Sequence, residues 1–124
     1  LEMGKKIPHA PKIFNVNWFR TDDDGNFIWP GFGDNLRVVL WILDRCAGKA
    51  DAVETAIGYV PKAEDINIEG LDGVSVDTIR DLLTVDHDAW VSDCDDIHKF
   101  YELIGDHMPK ELIDELAALK KRLG

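Results

Sequence analysis

Apolar and polar residues change their spacing several times along this chain, and each change marks a predicted element. In residues 12–19 (KIFNVNWF) apolar positions at Ile13, Val16 and Trp18 within a β-rich run predict a strand. Residues 21–26 (TDDDGN) are turn chemistry, with Asp24-Gly25 favouring positive φ, and Phe27 to Trp29 predict a short returning strand. Pro30 lacks a backbone donor and Gly31 and Gly33 loosen the chain, so that strand stops there. Asp34 then offers an N-cap for a helix over residues 35–47 closed by Gly48, whose apolar stripe is Leu36, Val39, Leu40, Leu43 and Ala47.

The second half is mostly helical in pattern. A strand is predicted at residues 56–60, ended by Pro61, with a surface connection over 61–73. Ser75 or Asp77 starts a short helix through Leu83. Asp86 caps a longer one in which Trp90, Cys94, Ile97, Tyr101 and Ile104 recur at helical spacing up to Gly105. Pro109 opens a last helix carrying Leu112, Leu116, Leu119 and Leu123. The expected class is α+β: a short antiparallel strand hairpin, a helix, a strand, then a helical tail over residues 74–124. No repeat or low-complexity segment interrupts it.

Length and charge narrow the setting. The 124 residues and 14.0 kDa suit one domain or a large piece of one, and 45% hydrophobic with 31% charged residues is an ordinary globular balance. A chain that opens on Leu1, with neither an initiator Met nor a signal-type apolar stretch, is expected to have been cut from something longer. Net charge is −10, unevenly spread: residues 1–50 hold seven Lys/Arg against six Asp/Glu, residues 51–124 seven against eighteen. Such a surface repels nucleic-acid backbones and anionic membranes, and directs any phosphate-bearing ligand to the first half. Cys46 and Cys94 are too far apart for a CxxC site and lie on apolar helical faces, so both are expected to be buried reduced thiols of a cytoplasmic protein.

Chemistry is concentrated between residues 18 and 32, where Trp18, Phe19, Phe27, Trp29 and Phe32 flank a glycine-bearing loop running into a helix start. Aromatic faces beside such a loop can stack a planar base, or can pack against each other across strands and serve as a protein-docking surface. GFGDN (residues 31–35) lacks the GxxxxGK[ST] spacing of a phosphate loop. Asp22-Asp23-Asp24 does not fit a calcium loop, because Gly25 is misplaced for its turn. His87, His98 and His107 have no second ligand at metal spacing, and no Ser/His/Asp or Cys/His nucleophile arrangement is present.

The run PKIFNVNWFRTDDDGNFIWPGFGDNLRVVLWILDR (residues 11–45), followed by ETAIGYVPKAED (residues 54–65), resembles the guanine-binding region of GTP-dependent phosphoenolpyruvate carboxykinases. The likeness covers essentially the whole chain, which would be roughly a fifth of such an enzyme and the C-terminal part of its α/β mononucleotide-binding domain, with residues 11–48 forming the guanine-binding part. It implies conversion of oxaloacetate and GTP to phosphoenolpyruvate, GDP and carbon dioxide in gluconeogenesis, with manganese and magnesium, by a cytoplasmic monomer. Matched residue by residue, it places guanine between Phe19 and Phe27 on one side and Phe32 on the other, with Trp18 behind. Asn35 would contact the guanine edge, with backbone groups of Gly33 and Asp34 nearby. Asp34 stands where the family more often has Glu, and Leu36 where a Ser is common, so no hydroxyl contact comes from that position. The phosphate loop, the reactive cysteine and the Lys, His and Asp manganese ligands are expected upstream of Leu1. No catalytic residue and no metal ligand is assigned within this chain, and neither Cys46 nor Cys94 matches the reactive cysteine.

Overall fold

A computed structural model describes residues 1–124. The chain forms two compact units: residues 1–52 with 61–82, and residues 53–60 with 83–124. Their elements make the molecule α+β, with five α-helices and one two-stranded antiparallel sheet.

In the first unit a single helical turn, α1 (Glu2–Lys6), closes on a Lys6–Glu2 ion pair of 2.8 Å at i,i+4 spacing, an element the apolar pattern does not announce. Residues 12–19 run extended without pairing into a sheet, and the expected hairpin is reduced to one backbone bridge, Thr21 with Phe27. The reason is local. The Asn17 side chain accepts the Phe19 N–H at 2.9 Å, spending on itself a donor that a ladder would need, and Pro30 stops the return. Alternation does survive, at the expected Val16 and Trp18 but with Phe14 in place of Ile13. Phe14, Val16 and Trp18 are the half-buried positions, whereas Ile13 is exposed. Phe14 meets Trp41 edge to face, with ring centroids 6.4 Å apart.

Helix α2 (Asn35–Cys46) ends as expected at Gly48, whose φ of 72° lets the chain turn left-handed. It differs from expectation in two ways. Asp34 does not cap it through its side chain; the carboxylate instead accepts from Arg37 Nε at 3.0 Å. The face turned inward is that of Trp41, not the leucine stripe, so Leu36, Val39, Leu40 and Leu43 are exposed and Cys46 is an exposed thiol. Helix α3 (Val76–Leu83) starts at Ser75, whose Oγ accepts the Thr78 N–H at 3.1 Å. Arg20 donates to the carbonyls of Asp81 (3.0 Å) and Leu82 (3.1 Å), satisfying acceptors that the end of α3 leaves open.

In the second unit the predicted strand at 56–60 is a hairpin: β1 (Val53–Thr55) pairs antiparallel with β2 (Gly58–Val60), and Ala56-Ile57 form its turn. Gly58, at φ 123°, makes the two-residue connection possible, and Thr55 Oγ1 donates to its carbonyl at 2.7 Å. Helix α4 (His87–Ile104) is capped by Asp86, which accepts the Ala89 N–H at 3.0 Å, and α5 (Lys110–Leu123) follows Pro109. Cys94 is fully buried with Leu116 and Leu123, and Ala56, Trp90, Ile97, Tyr101 and Leu119 pack around them. Ile104 and Leu112, expected on the same stripes, are more than a third exposed.

Two polar ties hold α4 to α5. Lys120 donates to Asp95 at 2.8 Å, which holds the Asp95 carboxyl below its ordinary 3.8. His87 contacts the Leu123 carbonyl through Nε2, and its hydrogen bond to Asp88, then that to Leu123, raise its pKa above the ordinary 6.5. A raised histidine stabilises fully below 6.5 and loses its contribution as pH rises through the folded value; a lowered aspartate contributes above 3.8 and loses it as pH falls through its own folded value. Thermal melts between about pH 5 and 9 are therefore expected to show the melting temperature falling above 6.5, with His87→Gln flattening that slope. A slope unchanged by the substitution assigns the dependence elsewhere.

Candidate functional site

The aromatic segment is built on a tight polar turn. Asp22 Oδ1 accepts the N–H groups of Asn26 (2.8 Å) and Asp24 (3.0 Å), and Gly25 takes a φ of 82° between them. The Asn26 N–H above all, then its side-chain amide and the Asp24 N–H, hold the Asp22 carboxyl below its ordinary 3.8. All three Asp of the TDDDGN run are exposed, and no three His, Cys, Asp or Glu side chains gather where a metal could be held. The turn brings Phe19 and Phe27 together with ring centroids 6.0 Å apart and planes inclined at 63°. Both rings are mostly exposed, and Trp18 is half-buried.

Phe32 is different in kind. It is 99% exposed and makes no ring contact with Phe19 or Phe27. Its φ is 37°, the left-handed region, where a bulky residue costs about 1–3 kcal/mol unless its surroundings hold it. Gly31, at φ 76°, precedes it, and the Asp34 N–H closes the loop onto the Gly31 carbonyl at 3.0 Å. Burial does not explain this outward ring. Strain kept at an exposed aromatic is a feature of binding loops.

Below this loop Trp29 is buried, and its indole Nε1–H donates to Asn35 Oδ1 at 2.9 Å. An indole nitrogen can only donate, so the Asn35 amide oxygen must be the atom facing it. The Asn35 NH2 group is thereby left as the outward donor at the start of α2. Sequence reading singled out Trp29 only as one of a row of aromatics. Its position six residues before a helix-start Asn, with a single N–H to place, was the signal for its supporting role. Gly33 is exposed, and Asp34 is tied to Arg37, which in turn donates to the Asn67 carbonyl at 2.9 Å.

Of the residues singled out in the sequence, the structure brings Phe19 to Phe27, and sets Phe32, Gly33, Asp34 and Asn35 in one loop and helix start. It shows no sandwich between the two groups. Gly33 and Asp34 also line an open groove of about 750 Å³ that carries both charge signs, including Arg37, Asp44, Lys49 and Asp65. Trp41 also lines it, with an indole N–H that is buried and without a partner.

A sequence model of the family described as "Phosphoenolpyruvate carboxykinase C-terminal P-loop domain" matches residues 1–122. The chain is similar to the phosphoenolpyruvate carboxykinase [GTP] of Renibacterium salmoninarum, 51% identical over 114 residues that make up 92% of this chain and 19% of the relative. The enzyme of that name from Treponema pallidum is 50% identical over 119 residues, covering 95% and 19%, and that of Corynebacterium efficiens 43% over 124 residues, covering 99% and 20%. The chain thus spans about a fifth of the length of the curated relatives it matches. With a family model and curated relatives matching along nearly all its residues, the chain belongs to the GTP-dependent phosphoenolpyruvate carboxykinase family.

Proposed function

We propose that this chain supplies the guanine-recognition corner of a GTP-dependent phosphoenolpyruvate carboxykinase. The parent reaction would decarboxylate and phosphorylate oxaloacetate with GTP, yielding phosphoenolpyruvate, GDP and carbon dioxide, in gluconeogenesis and in the cytoplasm of the cell. The observation that carries the reading is the pinned amide of Asn35: its oxygen is occupied by Trp29, so the side chain offers a donor to solvent three residues after a fully exposed Phe32. Guanine presents a carbonyl acceptor at the position where adenine presents an amino donor. A fixed NH2 donates to the first and opposes the second. Phe19, Phe27 and Phe32 supply faces on which a purine stacks, worth about 1–3 kcal/mol per base.

Manganese and magnesium belong to the parent reaction. The acids and histidines here do not assemble into a ligand set for either, so no step is routed through them in this chain. Neither is there a phosphate loop in the sequence of residues 31–35. The isolated chain is therefore expected to turn over no oxaloacetate with GTP and manganese, because phosphoryl transfer depends on metal and phosphate contacts. Its GTP affinity is expected to lie at about millimolar, since stacking alone must offset the entropy of association. Calorimetry checks this, and micromolar binding would mean that the phosphate site is on this chain. In the intact enzyme Phe32→Ala is expected to weaken GTP and ITP together, by about tenfold, because a π-face does not distinguish them. An effect on only one of the two nucleotides would remove Phe32 from the stacking role.

A further inference from the structure

Asn35 opens α2 with helical backbone angles (φ −57°, ψ −29°), and its own N–H donates to the Phe32 carbonyl. With the backbone fixed, the side-chain torsions alone decide which end of the amide looks outward. A half-turn about χ2 exchanges the oxygen and the NH2 group in nearly the same volume, so packing does not choose between them. A hydrogen-bond partner must choose. The one hydrogen bond this side chain makes is the 2.9 Å contact from the Trp29 indole, whose residue is only 7% exposed. Burial of an indole does not by itself demand an amide beside it: Trp41 is 6% exposed and keeps its N–H buried without a partner.

We infer that, within the guanine reading above on which this step rests, Trp29 is the positioning residue that sets the base preference. It acts through Asn35 and not on the base. With the indole donor in place, a flipped amide would set NH2 against N–H, two donors facing each other, and leave a buried N–H unsatisfied. The outward atom is therefore a donor, which suits the carbonyl of guanine. Without the indole N–H the two amide orientations become nearly equal. The flipped one turns an oxygen outward, and that oxygen accepts from the amino group of adenine. Loss of the indole donor thus moves GTP and ATP in opposite directions, whereas loss of a residue that only supports the fold weakens both.

The test measures kcat and KM for GTP and for ATP in the intact enzyme, as wild type, Trp29→Phe, Asn35→Ala and the double variant. Trp29→Phe is expected to lower kcat/KM for GTP about threefold and raise it for ATP about threefold, a roughly tenfold fall in the ratio. The change should lie in KM, with kcat at saturating GTP unmoved, because Asn35 addresses the base and not the transferred phosphate. In the Asn35→Ala background Trp29→Phe is expected to leave the ratio where it was, since the amide it orients is gone. Proportional weakening of both nucleotides overturns the inference, and so does an equal change of ratio in the two backgrounds. A ratio that responds to Asn35→Ala but not to Trp29→Phe overturns this inference alone. A ratio indifferent to Asn35→Ala overturns the guanine reading as well. Should Trp29→Phe not fold, benzothienylalanine at position 29 keeps the shape of the ring and replaces its N–H with sulfur. A wild-type ratio in that protein overturns the inference, and a fall of about tenfold supports it.

Discussion

Asn35→Asp is expected to reverse the base preference of the intact enzyme while leaving the fold in place. Aspartate is nearly isosteric with asparagine, and one of its oxygens can still accept the Trp29 indole N–H that Asn35 Oδ1 now accepts at 2.9 Å. Negative charge at the start of α2 is also favourable to the helix. What changes is the outward atom, from an NH2 donor to an oxygen acceptor. Guanine's carbonyl would then face a like group, whereas adenine's amino group would find a partner. Leaving a buried polar group unpaired costs about 1–3 kcal/mol, and here the term changes sign between the bases, so the GTP-over-ATP ratio of kcat/KM should fall by about 100-fold. Repulsion between the new charge and the phosphates acts on both nucleotides and cancels in the ratio. Asn35→Ala removes the donor without adding an acceptor, and is expected to fall between wild type and Asn35→Asp. If Asn35 serves only the helix start, Asn35→Ala lowers stability by about 1 kcal/mol and the ratio does not move.

Leu116→Ala is expected to be the most damaging single truncation in the helical tail. Leu116 packs with Cys94 and Leu123 at the centre of the α4–α5 contact, and Cys94 has no exposure at all. A buried leucine reduced to alanine costs about 2–5 kcal/mol, the transfer of the lost methyl groups plus the cavity left behind. Domains of this size hold about 5–15 kcal/mol in total, so a large share would go. Leu112, on the same helix but more than a third exposed, is expected to lose less than half as much on the same change. Urea unfolding followed by far-ultraviolet circular dichroism separates the two. Equal losses would mean that α5 does not pack through the Leu116 face.

The helical tail was legible because its stripes are covered within the chain. Trp90, Cys94, Ile97 and Tyr101 read as a 3.6-residue period, and that period meets α5, so pattern and burial agree. Asp86 and Gly105 likewise mark the ends of α4, since caps are decided by neighbouring residues. The same reasoning misplaced the α2 face, because periodicity tells which side is apolar and not what lies opposite. In the hairpin region the alternation was read correctly as extended backbone, but one side-chain bond from Asn17 and one proline prevented a ladder. As for the site, aromatic density and the glycine loop were visible in sequence. The orientation of Asn35 was not, because it depends on which way the Trp29 indole points once buried.

The most direct measurement is a nuclear magnetic resonance titration of the isolated chain with GMP and, separately, AMP, at about 10 mM, where binding as weak as stacking alone gives is still detected. With GMP, the ring signals of Phe19, Phe27 and Phe32 and the side-chain amide of Asn35 are predicted to shift together. With AMP, the ring signals are predicted to shift as well, because a π-face does not distinguish purines, but the Asn35 amide is predicted to stay in place. Shifts that avoid residues 18–35, or an Asn35 amide that responds equally to both nucleotides, would contradict the assignment of guanine recognition to this chain.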